Sequence, residues 1–142
     1  MRSAKDLISH LLDTNTAIEY LRKGAASTVT SRILSFPVGA VCICSVVIGE
    51  LIYGALRSPP SRQSHHLALI AGLQAQYLSL PFDDAAAHEY GAIRSELAAK
   101  GTLIGPNDLL IASIAVSRNV TLVTHNTREF SRVPRLRIED WQ

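Results

Sequence analysis

At 142 residues, with 47% hydrophobic and 18% charged side chains, the chain is long enough for one packed core and too apolar for a disordered polypeptide. A formal charge of +2 permits a nucleic-acid partner without arguing for one, because the placement of charge matters more than its sum. No run approaches the roughly eighteen apolar residues of a membrane span, and Met1 to His10 holds no signal-peptide core, so a soluble cytoplasmic protein is expected.

Along the chain, strand-like and helix-like runs alternate, the pattern of an α/β sandwich with a mostly parallel sheet. A first apolar run ends at Leu11-Leu12. Any of Asp13, Thr14 and Asn15 can cap the helix that follows, which carries Ile18 and Leu21 and stops at Gly24. A short helix is expected over Ser27 to Leu34, then a strand over Val38 to Cys44 with Ser45 as the next N-cap. Its helix, about Val46 to Leu56, stops at Ser58-Pro59-Pro60. Another helix is expected from His65 to Gln74 and a short strand near Tyr77 to Leu80.

Asp83 opens a helix with Ala86, Tyr90, Ile93 and Leu97 at helical spacing, closed by Lys100-Gly101. Pro106 suits the first turn of a helix whose body, Leu109 to Val116, is apolar nearly all round and so must be buried. Thr121 to Thr124 reads as a buried parallel strand, and the tail turns at Val133-Pro134 before Trp141. No internal repeat or linker divides the chain. Cys42 and Cys44, the only cysteines, stand two apart in a strand, form no CxxC pair and read as buried apolar fillers.

Acidic and amide side chains fall where a parallel sheet presents its ligand site, beyond the carboxyl ends of the strands. Asp13 follows the first strand, Glu50 lies in the helix after the second, Asp108 opens the buried Pro106 helix, and Asn126 follows the last strand. Each has an ordinary reading alone: a cap, a solvated helix face, a dipole partner, a turn residue. Together they carry a cost, because gathered carboxylates repel unless a cation resolves the conflict. Oxygen ligands without Cys or His favour a hard ion, Mg²⁺ or Mn²⁺, which can activate water for attack on a phosphodiester.

These residues sit in an ordered set of motifs. They are Leu11-Leu12-Asp13-Thr14-Asn15, then Ser45 to Gly54 around Glu50, Gly101 to Asp108 with Ile111-Ala112, and Leu122 to Phe130 followed by Val133-Pro134 and Ile138 to Trp141. The set resembles the PIN-domain ribonucleases, and within them the bacterial VapC toxins. The resemblance implies a three-layer PIN fold over 1–142, with residues 1–9 as an N-terminal extension. It also implies an acidic pocket of Asp13, Glu50 and Asp108 and endonucleolytic cleavage of RNA. Where many members carry a fourth acid, this chain has Asn126, with Glu129 nearby, which leaves three charges and one firmly held Mg²⁺. Thr14, Asn15, Ser45 and Thr124 match positions that orient the carboxylates. The family further implies a VapB-type antitoxin whose basic side chain enters the pocket, a homodimer, DNA contact only through the antitoxin, and initiator tRNA as the RNA.

Two rival readings are weighed against this one. A phosphotransfer domain wants a second Asp close after the first and a downstream Lys, but Thr14 and Asn15 follow Asp13 and no Lys follows Lys100. A non-catalytic module could use the acids to bind a basic partner. Most of the histidines read as surface residues. His125 is a candidate RNA contact, and Arg94, Lys100 and Arg128 are candidate phosphate contacts or ordinary solvated charges.

Overall fold

A computed structural model describes residues 7–142; most of the expected extension, residues 1–6, lies outside them. The elements in order are β1 His10–Leu12, α1 Thr14–Lys23, α2 Thr28–Leu34, β2 Val41–Cys44, α3 Ser45–Leu56, α4 Pro60–Gln76, β3 Ser79–Leu80, α5 Asp84–Ala99, α6 Pro106–Arg118, β4 Thr121–Val123, α7 Thr127–Phe130 and β5 Ile138–Glu139, with a 3₁₀ turn Gly24–Ala26 between α1 and α2. The sheet is parallel throughout, in the order β3-β2-β1-β4-β5. The chain therefore winds outward from β1 to β3 and returns to the other side of β1, so the order switches between β1 and β4.

Alternation along the central strands divides the core into two. Leu11, Cys42 and Leu122 join Val47, Leu51, Ile93, Ile111 and Ile114 from the helices. Leu12, Val41 and Val123 pack instead with Val29 of α2 and with Trp141. Strands buried on both faces require cover on both, which makes the fold a three-layer α/β sandwich. No described helix is long and apolar enough to cross a membrane.

Several expectations change in detail. The second strand starts at Val41 rather than Val38, because the Ala40 N–H bonds the Pro37 carbonyl and Gly39 takes φ +91°, a turn that leaves Val38 fully exposed. Ser45 is the first residue of α3, not its cap; its hydroxyl donates to the Leu80 carbonyl and ties α3 to β3. Pro59-Pro60 stops α3 but also starts α4, five residues earlier than expected, since Pro is preset for a first helical turn. Ser9, the last residue of the expected extension, is hydrogen-bonded to the sheet: its N–H donates to the Ala40 carbonyl and its carbonyl accepts from the Thr121 N–H. His10 is buried, its ring 4.5 Å from Phe36 and 5.2 Å from Trp141, with Nε2 3.2 Å from Glu139.

Candidate active site

Asp13 directly follows β1 at the switch point and is buried. Its backbone N–H donates to the Val123 carbonyl, and its Oδ1 accepts from the Thr16 N–H at 2.9 Å, which caps α1. The β1–β4 register, Leu12 beside Val123, sets Asp13 level with Thr124, so the two segments meet across the switch.

Glu50 reaches the same region from α3. The Thr14 hydroxyl donates to Glu50 Oε1 at 2.5 Å, and the Asn107 amide to Oε2 at 3.4 Å. Asp108, in the first turn of α6, carries the clearest electrostatic signature. Burial, followed by the charges of Glu129, Glu50 and Asp13, pushes its carboxyl up to about 6. Asp13 and Glu50 therefore lie near enough for their charges to act on Asp108. A cleft of about 280 Å³ opens between Glu50 and the Gly105–Asp108 turn.

Sequence reasoning set Glu129 aside and counted three charges. The structure brings Glu129 in as the acid that weighs most on Asp108. Asn126, placed at the fourth corner, donates its amide to Glu129 Oε2 at 2.8 Å, and the Gly105 N–H donates to Oε1 at 3.0 Å. Those bonds hold Glu129 below the usual carboxylate range. The available signal was spacing: Asn126 caps α7 and Glu129 follows three residues later, in a helix too short to show periodicity.

The orienting residues divide. Thr14 bonds Glu50, and the Thr124 hydroxyl accepts from the Asn126 N–H at 2.9 Å. Asn15 is exposed on α1 and makes no hydrogen bond to these acids among the described residues, and Ser45 serves β3 instead. Asn107, absent from the sequence reading, bonds Glu50. His125 is exposed and pairs with Asp140, while Arg94 donates to the Tyr90 hydroxyl.

No Lys or Arg forms an ion pair with Asp13, Glu50 or Asp108 among the described residues. The site holds unrelieved negative charge and offers oxygen donors only, which fits a hard divalent cation. Among the described residues no three His, Cys, Asp or Glu side chains are grouped to hold a metal on their own. That is compatible with Mg²⁺, which binds through one or two carboxylates and keeps several waters.

The PIN domain profile matches residues 10–136. The chain is 42% identical over 136 residues to the tRNA(fMet)-specific endonuclease VapC of Salmonella typhimurium, spanning 95% of this chain and 99% of that one. It is 45% identical to the protein of the same name from Shigella flexneri, with the same coverage. Among solved structures it resembles DNA-bound VapBC from Salmonella typhimurium, with TM-score 0.87, 41% identity, and 95% and 99% of the two chains covered. It also resembles VapBC2 from Rickettsia felis bound to a promoter DNA fragment, with TM-score 0.87, 32% identity, and 95% and 100% covered.

Proposed function

The chain belongs to the PIN-domain family and its VapC ribonuclease branch, and from that membership we propose that it is the toxin of a type II toxin–antitoxin pair that cleaves RNA at the Asp13–Glu50–Asp108 site. It is an endoribonuclease dependent on a divalent metal, read here as Mg²⁺ with Mn²⁺ able to substitute. The observation that supports this reading is geometric: Asp13 follows β1 at the switch point, Thr14 beside it bonds Glu50, and Asn107 beside Asp108 bonds the same carboxylate, so three segments bring their acids to one edge of the sheet. The whole chain is taken as one PIN domain, acting in the cytoplasm.

When bound, the cation supplies charge neutralisation on the phosphodiester and an activated water. The chain's own residues prepare the place. The Thr16 N–H fixes Asp13, Thr14 and Asn107 orient Glu50, and Asn126 with the Gly105 N–H fixes Glu129. Asp13, Glu50 and Asp108 would hold the ion, and Glu129 adds a fourth charge beside them. Pre-set carboxylates need no reorganisation as charge develops on the phosphate.

The relatives named tRNA(fMet)-specific endonuclease make initiator tRNA the first substrate to test. A VapB-type antitoxin is the proposed partner, carrying any DNA contact, with a homodimer as the toxin's own state; the solved relatives are VapBC complexes. An apolar hollow of about 250 Å³ between α1, α3 and α4 runs up to Glu50 and suits an antitoxin segment that ends in a basic side chain. The non-catalytic alternative gains no support from relatives named as ribonucleases. The test is to map RNA 5′ ends after induction, with and without the D13N substitution, and to assay the purified chain in Mg²⁺ and in excess EDTA. Cleavage that survives D13N or the chelator would sink the reading.

A further inference from the structure

An acidic pocket attracts a cation but repels RNA phosphates, so a ribonuclease needs other groups to seat its substrate. Such a surface adjoins the acids. A groove of about 620 Å³ runs from Thr14, Glu50 and Asn107 along α3 to Gly49, Tyr53 and Arg57. Tyr53 follows Glu50 by one helical turn and therefore shares its face. Tyr53 is 63% exposed, the most exposed Phe, Tyr or Trp among the described residues. The Arg57 guanidinium lies 4.9 Å from the ring centroid, which steadies the ring and places positive charge in the groove.

The two glycines sharpen the case. Each weakens a helix interior relative to alanine, yet a Cβ at Gly49 or Gly54 would meet nothing within 4 Å. Both line the groove, and the missing side chains leave it open beside Tyr53.

We propose that Tyr53 and Arg57 form a nucleoside subsite for the RNA strand beside the cleaved bond, with a base stacking on the Tyr53–Arg57 pair and Arg57 meeting a phosphate. This rests on the ribonuclease reading above. The chemistry is that of single-strand binding, in which an aromatic ring and a cation together accept any base. The subsite therefore contributes affinity and positioning, and little sequence preference.

The test measures binding apart from cleavage. In the D13N background with Mg²⁺ present, a short labelled single-stranded RNA is titrated by fluorescence anisotropy against D13N alone and with Y53A, Y53F or R57A added. Y53A weakens binding about tenfold and Y53F restores most of it. R57A flattens the dependence of log Kd on log salt by about 0.7, the share of one phosphate contact on a single strand. In otherwise wild-type protein, Y53A raises KM far more than it lowers kcat, the mark of lost uniform binding. Thermal melts check that each variant is folded; Tyr53 and Arg57 are both exposed. If wild-type protein cleaves RNA while the Y53A double variant binds as tightly as D13N, the subsite is overturned and the ribonuclease reading stands. If wild-type protein cleaves no RNA, both fall. Unchanged RNA affinity with weakened inhibition by the co-purified antitoxin would assign the pair to a protein interface, which also overturns the proposal.

Discussion

Asn126 donates its side-chain amide to Glu129 at 2.8 Å, so the neutral residue at the fourth corner acts by holding a charged one. Glu129 in turn is the strongest of the charges that raise Asp108. N126A should therefore loosen Glu129 and lower divalent-metal affinity about tenfold, the effect of removing a supporting hydrogen bond at a metal site. E129Q removes the charge itself, and isothermal titration should show a larger loss. An E129Q affinity equal to wild type would mean that Glu129 is not part of the ion's surroundings.

D13N separates chemistry from folding. An asparagine at position 13 can still accept the Thr16 N–H bond that caps α1, because Asn and Asp are nearly equal as N-caps. The melting temperature should stay within about 4 °C of wild type. RNA cleavage should fall at least about a hundredfold, since the charge nearest the switch point is gone. A matched assay of cleavage and circular dichroism on one preparation checks both.

Stability should depend on pH through Asp108. Its folded carboxyl lies near 6, above the ordinary 3.8. The folded state therefore binds the proton more tightly. The associated stability is full below about pH 4 and is lost as pH rises through about 6. After discounting for solvent screening, metal-free protein should lose about 1 kcal/mol across this window, or about 3 °C. D108N should remove that slope, and millimolar Mg²⁺ should raise the melting temperature more at pH 7.5 than at pH 5. Melts in EDTA and in Mg²⁺ across the range provide the measurement.

Cys42 and Cys44 should be inert in the native chain. Burial pushes their thiols up to about 12 and about 11, so almost no thiolate forms at neutral pH. A thiol reagent such as DTNB should label neither at pH 8 until denaturant is added, and then both. Prompt labelling of native protein would contradict the packing of β2.

The parts of the fold legible in the sequence are those whose signals are local. Asp13, one of three candidate caps by residue type, is the cap of α1, Pro106 opens α6 by backbone preference, and the apolar body of α6 is buried as its pattern requires. Of the three acids proposed for the site, Asp13 follows a strand and Asp108 opens a helix, positions the sequence marks locally, whereas Glu50 lies in the body of α3. Glu129 was not legible, because its role depends on Asn126 and on the Gly105 N–H from a turn 24 residues away. β5 was missed for a similar reason. Two residues, Ile138 and Glu139, carry no period, and only their pairing with Leu122 and Val123 makes them a strand. His10 looked like a surface residue because nothing local announces the Phe36 and Trp141 rings that enclose it.

The sheet order also sets when this chain becomes dangerous to the cell that makes it. β4 is among the last elements translated, yet it lies inside the sheet between β1 and β5. A ribosome that has just finished α6 has already made Asp13, Glu50 and Asp108, but the strand that aligns Asp13 and the segment that carries Glu129 have not emerged. The proposed acidic site is therefore complete only when synthesis is nearly finished, and a product that ends before β4 lacks both the partner strand of β1 and Glu129.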